Sequence, residues 1–385
     1  MKPIFKILLI IKKLFKAEII IFPPKKSKIL IWGVPTFINT FKEKKNRMNL
    51  NDIDFIYVWG EKYNLFILLK CLFKLKFSFL DYSNEYIDYT KPKLIITFLD
   101  NYNIIYNLKK NSNQKIIVIQ NATRSNENNF FRKRKYKFKN KIDYFFVHNR
   151  NIVKAYQNIC NANFFITGSF LSNSIPISKV KKKFDILYIS TFRDRNNEKI
   201  HGSITIDRWL DAESKLINTI SECCKKNGRK LTILPSRNSN FFKEKSFFEC
   251  SIKNFEKVKF LKRSSTDYKY PYKIIDKAKI VIGIDSTLMY EAFSRGKRTI
   301  FFDIKPKDKF LIKNRHFCWP KKLPKYGPFW LNCDSYNSVN KIIKNVSKLT
   351  NRQWFQIKKK YEKDLMVYNK DNKIFTEKLV DTFKK

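Results

Sequence analysis

The sequence predicts an α/β protein built from two successive parallel-sheet domains facing a cleft, and three observations point there. Short apolar runs of strand length alternate with helical spacing along most of the chain, the pattern of a parallel sheet with helices on its faces. That pattern breaks at residues 172–183 (SNSIPISKVKKK), which are polar, carry a proline and end in a lysine cluster, and then it restarts. Polar residues gather where strands end, the rim at which open α/β sheets bind ligands.

In the first half, 28–32 (KILIW) follows Pro23-Pro24 and reads as the first core strand, with 53–59 as a second. Residues 65–73 are apolar on most sides and read as a buried helix. The run 94–98 (LIITF) is a strand ending in Leu99-Asp100-Asn101, followed by helical spacing at 103–110. Another strand, 115–119 (KIIVI), ends in Gln120-Asn121, and 144–147 and 164–167 add two more. The second half opens with strand 185–189 (DILYI) and a long amphipathic helix at 207–226. Strands 231–234 and 258–261 follow, then a helix at 271–278 that tolerates Pro271 in its first turn.

Residues 279–303 (KIVIGIDSTLMYEAFSRGKRTIFFD) are the most informative stretch. Strand 280–284 meets a polar switch, Asp285-Ser286-Thr287, then helix 288–294, a stop at Gly296 and strand 299–302. A helix N-terminus at that edge offers free N–H donors and a positive dipole end to an anion. From 339 onward the chain is helical in character. The expected domains are 28–172 and 184–350, joined by a linker at 173–183, with a basic amphipathic segment at 1–27 and a helical segment at 351–385.

Composition bounds the function classes. With 385 residues, 43% hydrophobic and 16% aromatic, the chain has material for real cores. The formal charge of +47 suits nucleic acid, an anionic membrane surface or an anionic substrate. The excess is mostly lysine spread along the chain beside abundant Asn and Ile, so AT-rich codon drift accounts for much of it. Residues 131–141 (FRKRKYKFKNK) form the densest basic run, a solvated loop or a headgroup or nucleic-acid contact. Seven scattered cysteines have no metal spacing and suggest a reducing compartment. The segment MKPIFKILLIIKKLFK falls short of the roughly 20 apolar residues of a spanning helix. It suits a membrane interface or a helix packed on the protein's own core, and the positive charge favours the membrane.

With eight glycines, none clustered, no glycine-rich phosphate loop exists, so helix ends, hydroxyls and cations must hold any phosphate. Ser286 and Thr287 occupy the cap position for that purpose. Glu291 lies one turn in, where a capping box does not place it, and reads as an acceptor for a ribose diol or a solvent-facing residue favouring the dipole. Ser190 and Arg193 follow one strand and Arg237 another, on the same rim, where guanidinium groups pair with phosphate oxygens. Asp100 occupies the equivalent rim of the first half, as a general base or a loop-capping residue. His201, one of three histidines, lies in the loop after Arg193, at a phosphate or base position. No acidic pair at a strand end calls for a metal.

The segments KPKLIITFLDN (91–101), IVIQNATR (117–124), GIDSTLMYEAFSRGK (283–297) and CWPKKLPKYGPFW (318–330) resemble bacterial surface-carbohydrate (lipopolysaccharide or capsule) biosynthesis proteins of the GT-B glycosyltransferase type. The similarity covers most of residues 28–360. It implies two Rossmann-like domains, with Ser286, Thr287 and Glu291 holding the phosphate and ribose of a nucleotide-sugar and the second domain as donor domain. Asp100 with Asn121, and beside them Asn101 and Arg124, would face the acceptor. One departure is Ala122, where the family tends to have Gly after Gln-Asn; a left-handed backbone there would cost an alanine roughly 1 kcal/mol.

The resulting expectation is a cytoplasmic glycosyltransferase at the inner membrane face, moving a sugar from a nucleotide donor to a lipid-linked or oligosaccharide acceptor. It needs no cofactor beyond the nucleotide-sugar co-substrate. Its rivals are a teichoic-acid-type polyol-phosphate transferase and a basic nucleic-acid-binding protein; no specific nucleic acid is expected as partner.

Overall fold

The structure, a computed structural model, describes residues 16–33, 52–126, 131, 141–178, 180–194, 199–201, 204–236, 239–264, 266–284, 286–303, 313–332 and 336–383. The strands β1 (Ile29–Gly33), β2 (Ile53–Tyr57), β3 (Leu94–Thr97), β4 (Lys115–Ile119), β5 (Ile142–Val147) and β6 (Ala162–Ile166) form one sheet in the order β2-β1-β3-β4-β5-β6. Every pairing is parallel, with Leu30 opposite Ile95 and Ile95 opposite Ile116. β1 and β3 are buried throughout, as runs of Ile and Leu without alternation require when both faces are covered.

A second sheet takes β7 (Phe184–Ile189), β8 (Leu231–Leu234), β9 (Lys259–Phe260), β10 (Ala278–Gly283), β11 (Arg298–Phe302) and β12 (Trp330–Leu331) in the order β9-β8-β7-β10-β11-β12, again all parallel. In both sheets the chain runs outward to one edge and then restarts on the other side of its first strand. The switch points therefore lie between β1 and β3 and between β7 and β10. At the latter, Gly283 sits where an added Cβ would come within 3.1 Å of the Ile189 carbonyl oxygen, so glycine permits the close approach of the two strand ends.

The chain passes from one core to the other within a few residues. Phe170 packs with Ile29, Ile96 and Phe146 on the first sheet, whereas Ile175 belongs to the core of the second. Arg295, fully buried, pins this crossing by donating to the carbonyls of Ser172, Ile175 and Pro176 and to the Asp276 carboxylate. The C-terminal helices then return. Asn351–Leu365 packs Trp354 against Phe293 and Phe329 of the second domain, and Lys373–Phe383 places Phe375 and Leu379 in the core of the first. The returning chain crosses Gly168 (φ 75°) so closely that any side chain there would overlap the Val367 carbonyl.

Several elements differ from the sequence expectations. The helix Leu65–Phe73 forms with the expected bounds but is only partly buried: Ile67 and Cys71 are buried, Phe66 and Leu68 half-buried beside them, and Leu69, Leu72 and Phe73 exposed. The expected helix at 103–110 is a shorter 3-10 turn, Asn103–Asn107. Helix Phe79–Thr90 had no clear apolar stripe because tyrosines Tyr82 and Tyr86 fill its inner face; a Ser78–Asp81 capping box starts it. Helix Phe241–Ser251 buries only Glu244 and Phe248, too little for a legible period. Residues 1–15 of the basic N-terminal segment lie outside the described residues, as does the basic run at 131–141 apart from Phe131 and Lys141.

Candidate functional site

A cleft of about 790 Å³ opens where the carboxyl ends of the two sheets face each other. Its walls are Asn121, Ala122 and Thr123 after β4 of the first domain, and Ser190 to Asp194, Ser236, Arg263 and Ser286 to Leu288 of the second. It thus lies at the switch point of the second sheet, where ligands of open α/β sheets bind.

The eight-residue helix Thr287–Ser294 points its N-terminus into this cleft. Ser286 caps it, its Oγ accepting from the Leu288 amide at 3.3 Å, while the Met289 amide donates to the Ser286 carbonyl. Among the described residues no acceptor is assigned to the Thr287 amide, the donor best placed for an anion. Asp285 lies outside the described residues. The Thr287 hydroxyl is already engaged across the cleft: it accepts from the Thr123 amide at 3.1 Å and lies 3.3 Å from the Thr123 hydroxyl.

Glu291 forms part of the cleft wall yet is only 5% exposed. Its carboxylate accepts from the hydroxyls of Ser169, on the first domain's side of the crossing, and Tyr272. Burial pushes its pKa up to about 7, against the opposing effect of these hydrogen bonds and of Arg295 and Arg263. It is therefore an enclosed group at the base of the cleft rather than a solvent-facing dipole partner.

The loops after β7 and β8 are built on two buried carboxyl groups. Glu213 accepts from the Tyr188 hydroxyl and from both the amide and hydroxyl of Thr191, and burial raises it to about 7. Glu244 accepts from the amide and hydroxyl of Ser236. Ser190 Oγ accepts from the Phe192 amide, which folds the loop back and sends the exposed Arg193 to the cleft wall. Ser190 is thus a loop-forming residue that also lines the cavity.

Asp100 takes a different place from the expected one. Its carboxylate is fully buried and accepts from Arg124 Nε at 2.6 Å, from Arg124 Nη2, from the Tyr156 hydroxyl at 2.6 Å and from the Asn121 amide at 3.3 Å. Arg124 also donates to Asn121 Oδ1 at 2.7 Å. A base must reach an acceptor hydroxyl, and this carboxylate is enclosed by its own domain. Its geometry is that of the loop-organising alternative: with Arg124 it shapes the turn that presents Asn121 to Thr123. Asn101, one residue on, is exposed and does not line the cleft. Ala122 is not in the left-handed region, so the alanine carries no backbone strain; its carbonyl accepts from Gln120 Nε2 at 2.7 Å.

Arg237 lies outside the described residues, and of His201 only the backbone is described, in a short hairpin strand Lys199–His201. Among the cleft-lining residues that escaped the sequence reading are Arg263, Arg315, Trp209 and Tyr272. Arg263 donates to the Ser236 and Pro235 carbonyls, and Arg315 lies 5.4 Å from the Trp209 ring. Arg263 follows the strand expected at 258–261 and was within reach of the strand-end rule. Arg315 has no such signal, because tertiary packing brings it in.

Two parallel Rossmann-like domains that meet at a cleft along their strand ends define the GT-B class of fold. The chain belongs to the family described as "putative O-antigen biosynthesis protein", whose model matches residues 117–383, and so to the proteins of surface-carbohydrate biosynthesis. A variant of the wall teichoic acid polymerase TagF is structurally similar over 94% of this chain and 90% of that one, at 14% identity and a TM-score of 0.51. UDP-GlcNAc 2-epimerase of Methanocaldococcus jannaschii, in complex with UDP-GlcNAc and UDP, is similar over 92% and 99%, at 11% identity and a TM-score of 0.48. A comparison with curated sequences gave no match. Among the described residues no helix is long and apolar enough to cross a membrane, and no cluster of His, Cys, Asp or Glu suits a metal ion.

Proposed function

We propose that the protein is a nucleotide-sugar-dependent glycosyltransferase that extends a surface glycan. The observation that carries the reading is the cleft itself: a helix N-terminus, arginines and a buried carboxyl converge at the switch point of the second sheet. A donor diphosphate would lie against the Thr287 amide and the guanidinium groups of Arg193, Arg263 and Arg315. Its ribose hydroxyls would donate to Glu291. The acceptor would enter from the side of Asn121 to Thr123, its hydroxyl oxygen bonding to the anomeric carbon as the bond to the diphosphate oxygen breaks and the hydroxyl proton passes to solvent water. The helix dipole and arginines then take up the charge that develops on the departing phosphate, the electrostatic share of catalysis. The nucleotide-sugar is a co-substrate, and no further cofactor or metal enters the proposal. A lipid-linked acceptor at the inner face of the cytoplasmic membrane completes it.

Thermal-shift screening against CMP, CDP, UDP and GDP tests the donor half. A saturating nucleotide at 100 times its Kd stabilises a fold by about 2.7 kcal/mol. One of the four is expected to raise the melting temperature of the wild type and to do so much less for Glu291→Ala. If none stabilises the protein, or the alanine variant responds as the wild type does, the assignment of the cleft fails.

A further inference from the structure

Helix Leu65–Phe73 reads LFILLKCLF, apolar at every position but Lys70, yet the fold buries only Ile67 and Cys71, with Phe66 and Leu68 half-buried beside them. A helix that is apolar all round belongs inside a core or against lipid. Its outward residues Leu69 and Leu72 are exposed, and the chain continues through Phe73 (84% exposed), Leu75 (78%) and Phe77. Lysines alternate with these side chains in Phe73-Lys74-Leu75-Lys76-Phe77, and no acidic residue occurs from 62 to 77. Lys74 and Lys76 share the Glu85 carboxylate at 2.7 Å each, which leaves the pair one positive charge in excess. At the start of the helix, Asn64 Nδ2 holds the carbonyl of the exposed Phe22, so the apolar surface extends there too.

We infer that residues 69–77 form a docking surface for an anionic phospholipid bilayer. Aromatic and aliphatic side chains enter the headgroup boundary while the interleaved lysines meet the lipid phosphates, the chemistry of interfacial membrane binding. Position supports this occupant. Phe79, two residues beyond Phe77, packs against Trp32 at the end of β1, and an aromatic row runs on through Tyr102 to the exposed Trp59 along the strand-end rim of the first domain. The surface thus borders the rim of the domain proposed to receive the acceptor. The sequence of residues 1–15 is itself apolar and basic.

The inference rests on the reading of the acceptor as lipid-linked, and full-length protein tests it by sedimentation with phosphatidylcholine vesicles, with and without phosphatidylglycerol. Wild type is expected to bind the anionic vesicles. Phe73→Ser/Leu75→Ser/Phe77→Ser should lose at least about tenfold in partition. Lys74→Gln/Lys76→Gln should lose about fivefold per lysine removed, and that loss should vanish at high salt. Phe242→Ser, an exposed residue of the other domain, should change nothing. Nucleotide-induced thermal shifts read on the same samples show that each variant is folded. The surface is refuted if the triple serine variant sediments as wild type does, or if wild type binds no vesicles. It is refuted equally if light scattering finds a dimer that the serine substitutions dissolve. Nucleotide binding without vesicle binding rejects the docking surface alone, and vesicle binding without nucleotide binding rejects the donor reading alone.

Discussion

Replacing Asp100 separates two roles that the sequence leaves open. Its carboxylate is fully buried, and the Arg124 side chain that pairs with it is 10% exposed. Asp100→Ala strands that guanidinium together with the Asn121 amide, while Tyr156 keeps the Asp100 carbonyl at 3.1 Å. Breaking a buried ion pair from one side costs about 3–5 kcal/mol. With a melting shift of about 2–4 °C per kcal/mol in domains of 150–250 residues, the drop should be about 6–20 °C. The double replacement Asp100→Leu/Arg124→Met should recover most of it, because apolar isosteres of buried pairs are often neutral. Denaturant and thermal unfolding of the three proteins measure this. If Asp100→Ala unfolds within about 1 kcal/mol of wild type but transfers no sugar, the carboxylate acts on substrate and its placement here is mistaken.

Further outcomes follow from the same geometry. Glu291 holds its proton up to about 7 in the fold against 4.5 ordinarily, so the folded state binds more protons between those values and stability falls as pH rises through that window. Glu291→Gln should flatten the slope of denaturant midpoint against pH, since a tenfold difference in proton affinity between folded and unfolded chain is worth about 1.4 kcal/mol. Because ribose hydroxyls favour the ionised carboxylate, nucleotide affinity by calorimetry should rise with pH and level off above about 7. Arg263→Ala should weaken a nucleoside diphosphate by about 10- to 100-fold, the range of charge-assisted hydrogen bonds, with little effect on the uncharged nucleoside. Phe375→Ala, at a site touching Phe146 and Phe170, should cost about 3–5 kcal/mol and release the C-terminal helix to limited proteolysis.

The two sheets were legible because parallel strands buried on both faces leave continuous apolar runs; β4 and β8 match their expected bounds residue for residue. Ser286 at a helix N-cap was legible for the same reason, since a strand-to-helix switch leaves a local signature. What the sequence concealed depends on other parts of the chain. Nothing local says that Asp100 meets Arg124 and Tyr156, or that the Thr287 hydroxyl accepts from the Thr123 amide of the opposite domain. Helix Leu65–Phe73 misled in the opposite sense: composition alone demanded burial, and only the fold reveals that Leu69, Leu72 and Phe73 stay exposed. The return of Lys373–Phe383 to the first core was likewise invisible, because an amphipathic stripe does not name its partner.

The central claim is that a glycosyl group crosses this cleft from a nucleotide to an acceptor. Mass analysis of a lipid-linked acceptor incubated with the protein and a panel of nucleotide-sugars measures it. The account predicts that one donor adds a single sugar residue without phosphorus, and that Arg263→Ala slows the addition. A product that gains phosphorus with a polyol would instead mark phosphoryl transfer and contradict it.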